Sequence, residues 1–380
     1  MRRILKAIGT TLLFAVIAIC LAPTLVPPFL DRIYYQGPAS GNYDGERFFN
    51  TGDHGPELAA HAGGRAGFLR RFFLGDGRAP WPDRVPVTQT VPPSRVAGNE
   101  MLVTWVGHAT VLVQTGGLNI LTDPVWSERA SPFSFIGPKR VRAPGIAFDK
   151  LPKIDLVLIS HNHYDHLDLP TLKRLWERDR PLIVTSLGND TILRNEGIES
   201  VGLDWNAWAT LTSTGLDTSG RPRCDPDAHC PGDRATVHML RNHHWSSRWG
   251  TDRNRALWSA FVVQPNGGGS IFFAGDTGWG DGTWVEEAAG FGPFRLAIIP
   301  IGAYEPRDFM KTNHIDPAEA VRVFDALNPA RALGIHWGTF QLTFEPIDEP
   351  HQRLEALKRE RGIAPDRFVA TEVGRSFSVP

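Results

Sequence analysis

The sequence predicts an α/β fold in which two mixed β-sheets pack face to face with helices on the outside. Two observations carry this expectation. From Met101 onward, short apolar runs rich in Val, Ile, Leu and Phe recur between Gly-rich turns in two β-rich halves. Helical segments are interleaved with the runs in both halves, so each sheet needs a further layer to bury its apolar strands. The length, 380 residues, suits one large α/β domain with extensions. Hydrophobic residues make up 42 % of the chain, enough for a substantial core. A net charge of −1 does not favour nucleic acid as a partner. Twelve Trp and 21 Phe against five Tyr is an apolar-aromatic bias that suits a large core, and also suits greasy substrate.

In chain order, Arg2, Arg3 and Lys6 precede a nearly continuous apolar run, Ile8 to Leu21. Positive charge before such a run leaves the start in the cytoplasm and sends the downstream chain across a membrane. Residues 1–30 are therefore expected to be an uncleaved inner-membrane anchor with the rest of the chain outside the cytoplasm. The alternative is secretion after signal cleavage. Residues 31–98 are rich in Gly, Pro and Arg and read as an extended arm. Within it, Gly67 to Leu74 is a candidate amphipathic piece that would cover a site, lie on a bilayer or pack on the domain.

Residues 99–380 form the expected catalytic domain. Met101–Val106, Thr110–Gln114, Leu118–Thr122, Asp155–Ile159 and Pro181–Thr185 read as strands, with helices around Leu169–Arg178 and Asn189–Glu196. In the second half, Val237–Leu240, Leu257–Val263, Ser270–Ala274, Leu296–Ile299 and Arg331–Ile335 read as strands. Trp284–Ala289, Pro317–Leu327 and Pro350–Arg359 read as helices. Cys224 and Cys230 bracket a short loop and read as a disulfide outside the cytoplasm; a small metal site with His229 is the competing reading.

The chemistry concentrates after the strand ending at Ile159. His161, His163, Asp165 and His166 place three imidazoles and a carboxylate within six residues. Imidazole and carboxylate suit a borderline transition metal. A strand ending in such a loop can aim His161 and His163 at one ion and Asp165 and His166 at a neighbour. Neither set is complete, so further ligands are expected. The second half offers Asp276 in a Gly-flanked turn, His336 after the strand at Arg331–Ile335, and His243 and His244 before Trp245. A strand-end His alone is more often structural; the ensemble makes a two-metal site the economical reading. Asp123, in Leu-Thr-Asp-Pro, reads as a carboxylate that orients a ligand His. His108 reads as structural or as a contact of a ligand.

In this order the His-x-His-x-Asp-His motif, a later His, an Asp and a final His resemble the metallo-β-lactamase superfamily, which implies an αββα sandwich. Within it the chain resembles the N-acyl-phosphatidylethanolamine-hydrolysing phospholipase D family. The resemblance runs through Val103–Thr110, Leu121–Pro124, Gly137–Arg140, Ile159–Asp168, Phe273–Gly278, Ile299–Arg307 and Ile335–Phe340. It implies that His161, His163 and His244 hold one Zn²⁺ and that Asp165, His166 and His336 hold another, with Asp276 bridging. His244 is preferred to His243 because the family has His directly before Trp. The resemblance also puts His314 near the site as acid or phosphate contact; alternatively it contacts the start of the helix after Asp316. Asp165 and Asp276 would orient the attacking water. The cysteine loop and the N-terminal segment depart from the shared core.

The expected activity is zinc-dependent phosphodiester hydrolysis of phospholipase D type, on N-acylphosphatidylethanolamine-like lipids. A lactonase or amide hydrolase on the same metal site is the alternative. A di-iron redox enzyme is disfavoured because His163 stands where redox branches carry Glu. A non-catalytic envelope protein is disfavoured by the complete ligand set. Expected partners are a phospholipid or membrane surface, a small-molecule phosphodiester and a second copy of the chain, but not nucleic acid.

Overall fold

The computed structural model describes residues 2–25, 32–52, 77–212, 215–217 and 232–380. The amphipathic piece at 67–74 and the loop of Cys224, His229 and Cys230 lie outside the described residues. The basic-apolar start forms α1 (Arg2–Leu25), with Leu12, Leu13 and Phe14 exposed. Among the described residues no helix is long and apolar enough to cross a membrane, so α1 does not support the inner-membrane anchor expected of residues 1–30.

The first half builds β1 (Met101–Gly107), β2 (Thr110–Thr115), β3 (Leu118–Thr122), β4 (Leu156–Ile159), β5 (Leu182–Ser186) and β6 (Val201–Leu203), with α2 (Leu169–Asp179) and α3 (Asn189–Asn195). The second half builds β7 (Trp208–Thr212), β8 (Gly215–Asp217), β9 (Asp233–Leu240), β10 (Ala260–Pro265), β11 (Ser270–Phe273), β12 (Phe294–Pro300), β13 (Arg331–Ile335), β14 (Phe368–Val369) and β15 (Ser376–Val379). Its helices are α4 (Thr283–Ala289), α5 (Arg307–Met310), α6 (Pro317–Leu327) and α7 (Glu349–Arg361). Among the described residues the strands form a seven-stranded sheet, β15-β1-β2-β3-β4-β5-β6, and an eight-stranded one, β14-β13-β12-β11-β10-β9-β7-β8. Both are mixed: β3 to β6 run parallel, as do β11 to β14, and the remaining pairs are antiparallel.

β4 shows why these strands read as unbroken apolar runs. Leu156 and Leu158 point into the core between the sheets, whereas Val157 and Ile159 point at the outer layer with Leu172 and Leu175 of α2. A strand covered on both faces needs apolar residues at both parities. The alternation divides the core in two, and the expected sandwich with outer helices is the observed architecture. On the opposite side α6 starts where Asp316 accepts from Ala318 and Glu319 N–H at 2.9 Å each, while Glu319 accepts from Asp316 N–H at 3.0 Å. This reciprocal cap is worth about 1 kcal/mol and fixes the chain just past His314.

Two differences from the sequence expectation have physical causes. Residues 257–259 are not strand. They bridge the sheets: Leu257 N–H donates to Leu187 O and Ser259 N–H to Ser160 O, and Trp258 packs against Tyr43 and Phe48. Elements β6, β7, β8, β14, β15 and α5 lie outside the sequence expectation; most hold two to five residues, too short for a periodic signal. The described parts of the arm carry isolated bridges only, yet Tyr34, Tyr43 and Phe48 are buried against the domain. Burying each such ring stabilises the arm's seat by roughly 1.5–3 kcal/mol.

Candidate metal centre

The site assembles at one edge of the sandwich. Parallel strands end at the same edge, so β3 delivers Asp123, β4 the 161–166 loop, β11 Asp276 and β13 His336 to a common place. β9, antiparallel to β10, adds His244, and the β1–β2 turn adds His108. Four groups of donor atoms, each within 4.8 Å, result: His161, His163, His244; His108, Asp165, His166, His336; His161, His166, Asp276; and His244, Asp276, His314. Asp276 belongs to two of them, between the two ligand sets.

In the first half the tautomers follow from the partners. Ser160 N–H and Oγ–H donate to Asp123 at 2.7 and 2.6 Å. Ser160 Oγ, its proton so committed, accepts from His161 Nδ1 at 2.9 Å. His166 Nδ1 donates to Asp123 Oδ2 at 2.6 Å. Both imidazoles therefore turn Nε2 toward the centre. His161 Nε2 lies 2.8 Å from His163 Nδ1, so these neighbours approach through different ring atoms. Asp165 Oδ2 lies 2.8 Å from His108 Nε2 and 3.4 Å from Nε2 of both His166 and His336.

The second half spaces its donors along the chain. His244 Nδ1 donates to Asn313 O at 2.9 Å, which aims its Nε2 at His163 Nδ1, 3.4 Å away. Gly275 has φ +62°, and a Cβ there would fall 2.8 Å from Ser160 Cβ. That position needs glycine to bring Asp276 against the first half. Asp276 Oδ2 sits 3.1 Å from His166 Nε2 and 3.0 Å from His336 Nε2. His336 itself adopts φ 65° and donates its N–H to His108 O at 3.1 Å.

Electrostatics separates the two sets. Burial pushes His163 down to about 3 and His161 and His244 well below the usual histidine range. Burial also opposes charge on His166 and His336, but Asp276 and Asp165 overcome it, raising His166 well above normal and His336 to about 9. Burial opposes ionisation of Asp165 and Asp276 as well; His166 beside both holds them well below the carboxylate range. The donors demand positive charge at their centre. His161 Nε2 and His163 Nδ1 lie 2.8 Å apart, His166 and His336 Nε2 lie 3.2 Å apart, and buried Asp276 Oδ1 and His163 Nε2 have no hydrogen-bond partner among the described residues. A histidine-rich set with two carboxylates fits transition-metal ions at these positions.

His243 stays outside the four groups; its Nδ1 lies 2.9 Å from Thr312 O. His314 joins His244 and Asp276, with Nδ1 buried, without a hydrogen-bond partner among the described residues and 3.9 Å from Asp276 Oδ2. It is not a helix cap: Asp316 fills that role, and His314 O accepts from Arg307 at 2.7 Å. Burial pushes His314 down to about 4 and His108 to about 3. Sequence reasoning missed the supports. Arg248 donates to Asn162 O and Leu167 O at 2.9 Å each, gripping both sides of the ligand loop. Asn50 of the arm donates to His244 O at 3.1 Å and accepts from Trp258 at 3.0 Å. Such partners are distant in the chain and carry no local motif.

Residues 118–337 match the β-lactamase superfamily domain, which with the donor set at the sheet edge defines the class: this is a metal-dependent hydrolase. Over 301 residues the chain is 36 % identical to N-acyl-phosphatidylethanolamine-hydrolyzing phospholipase D 1 of Caenorhabditis elegans, covering 77 % of this chain and 81 % of that one. It is 34 % identical over 274 residues to the mitochondrial N-acyl-phosphatidylethanolamine-hydrolyzing phospholipase D of Saccharomyces cerevisiae, covering 72 % of this chain and 55 % of the yeast protein. A possible metal-dependent hydrolase from Veillonella parvula shares the fold, with TM-score 0.55, 13 % identity and coverage of 74 % and 99 %. The chain belongs to the family of the N-acyl-phosphatidylethanolamine-hydrolysing phospholipases D.

Proposed function

We propose that this protein is a binuclear zinc phosphodiesterase of phospholipase D type, acting on N-acylphosphatidylethanolamine-like lipids. The observation that carries the proposal is the convergence of His161, His163, Asp165, His166, His244, Asp276 and His336 in overlapping groups of donor atoms, with Asp276 in two of them. His161, His163 and His244 would hold one ion, Asp165, His166 and His336 the other, with Asp276 between them. Bound there, the ions would make water acidic enough to serve as nucleophile near neutral pH and would stabilise charge on phosphoryl oxygen.

The chain's own residues would do the rest. Asp276 Oδ1, free of other partners, accepts a hydrogen bond from the attacking water. His314, kept neutral by burial, donates N–H to a phosphoryl oxygen or to the leaving oxygen. Asp123 holds His166, and His108 holds Asp165. Water adds to phosphorus, the bond to the head-group oxygen breaks, and that oxygen gains a proton. Phosphatidic acid and an N-acylethanolamine leave.

Hydrolysis in ¹⁸O water, followed by mass spectrometry, tests this. The proposal expects label in the phosphate of phosphatidic acid. Label in a freed fatty acid would mean attack at a carboxyl carbon and an amide or ester hydrolase instead.

The same reading treats residues 1–30 as anchor, 31–98 as arm and 99–380 as catalytic domain, with that domain outside the cytoplasm. The basic start and the exposed apolar side chains of α1 support a membrane-directed segment, while no helix among the described residues is long and apolar enough to cross a membrane. A compartment-specific reporter at the C-terminus that is active only in the cytoplasm would overturn the placement.

A further inference from the structure

Residues 129–139 form a finger whose shape is fixed and whose tip is apolar. Arg129 and Lys139 pair as an antiparallel bridge at its base, and Ala130 N–H donates to Pro138 O at 3.1 Å. Arg129 then reaches along the finger, donating to Ser134 O at 3.2 Å and Gly137 O at 2.6 Å. Gly137 has φ +103°, and a Cβ there would meet Ser131 at 2.6 Å, so the turn is closed as tightly as glycine permits. Held this way, Phe133, Phe135 and Ile136 are 49 %, 76 % and 57 % exposed, with the two rings 5.6 Å apart. Preforming a loop in order to present three large apolar side chains to solvent marks a contact surface.

Three observations select the occupant. From Arg129 to Arg142 the chain has no acid; Arg140 is buried and Arg142 pairs with Asp348, which leaves Arg129 and Lys139 as the positive charge at the finger's base. The finger adjoins a cavity of about 270 Å³ lined by Arg129, Ser131, Pro132, Arg32, Arg248 and Trp249, among others. Arg32 stacks over Trp249 at 5.4 Å, and Trp249 is 37 % exposed. Asp168 and Glu196 also line this cavity, but Asp168 is engaged by Trp126, Ser127 and Thr171. Finally, Arg32 lies seven residues after Leu25, the last residue of the apolar α1. Seven residues span at most about 25 Å, so Arg32, next to the finger, stays within that reach of the end of α1.

We propose that the 129–139 finger and the adjoining Arg32–Trp249 edge form a contact surface for an anionic phospholipid bilayer, with Phe133, Phe135 and Ile136 entering the acyl boundary and Lys139 and Arg32 facing lipid phosphates. The choice of occupant rests on the lipid-substrate reading and gives it a docking geometry. Aromatic and aliphatic tips above a cationic base match the chemistry of an anionic bilayer interface, whereas a second copy of this chain would meet the same positive charge.

Hydrogen–deuterium exchange on the full chain in mild detergent, with and without vesicles of phosphatidylcholine and phosphatidylglycerol that contain no N-acylated lipid, tests the surface apart from the activity. Amides of residues 131–137 are expected to slow when vesicles are added. The variant F133S/F135S/I136S is expected to lose that protection and at least about tenfold in vesicle affinity while hydrolysing a soluble chromogenic phosphodiester as the parent does. Lys139→Gln is expected to weaken binding severalfold to anionic vesicles only. Unchanged exchange of 131–137 with vesicles would overturn the proposal, whatever lipid the enzyme hydrolyses. Protection that appears without vesicles and grows with protein concentration would assign the finger to self-association, which also overturns it.

Discussion

The two halves of the site solve the same problem in opposite ways. The first half places His161, His163, Asp165 and His166 on one loop after β4, and steadies that loop from beneath with Asp123 and from the side with Arg248. The second half takes one donor each from the ends of β9, β11 and β13, and depends on close approach at Gly275 and on left-handed backbone at His336. A loop of ligands is positioned by a few local hydrogen bonds. A dispersed set is positioned only when the second sheet is packed in register. The geometry of the first half should therefore survive local damage to the second, whereas loss of Asp276, shared by the two proposed metal positions, should cost both.

The largest expected effect comes from Asp276→Ala. It should empty both positions and lower activity by roughly a hundred- to a thousandfold, as loss of a central electrostatic element does. Metal content by plasma mass spectrometry checks it, with circular dichroism to confirm the fold. Next come His244→Ala and His336→Ala, which remove one donor from each set. Each should halve the bound metal, and anomalous scattering from crystals of the two variants should locate the remaining ion at opposite sites. The same site occupied in both would break the division. Asp123→Asn should cost about 10–100-fold in metal affinity or activity, because it supports His166 and Ser160 together without binding metal. The smallest effects belong to the distant supports. Arg248→Gln should weaken metal retention at the loop by about tenfold in a chelator titration. Asn50→Ala should lower stability by about 1–2 kcal/mol in denaturant unfolding, since it leaves Trp258 Nε1 and the His244 backbone short of a partner.

The same contrast decides how much of the site is legible in the sequence. The cluster at 161–166 announces itself because four donors fall within six residues, and a chain seldom gathers them without a metal to hold. Asp276 and His336 are legible only as strand-end residues beside glycine, and gain meaning from the first cluster. The apolar runs reveal both sheets, since strands buried on two faces are continuous in hydrophobicity. Short strands such as β7 and β14 carry no such signal, and neither does the turn of the chain at Leu257–Ser259, where Leu257 and Trp258 are apolar because they pack with Tyr43 and Phe48 of the arm. Arg248, Asn50 and Asn313 act through backbone carbonyls or N–H groups contributed by remote segments, and no periodicity or spacing encodes that.

The central claim is that two donor sets sharing Asp276 hold two ions. The most direct test is the metal content of fully active full-length protein, purified without chelator, measured against protein concentration from amino-acid analysis. The account predicts two transition-metal ions per chain, zinc foremost, with activity falling as either is withdrawn. Full activity with one ion, or with none, would contradict it.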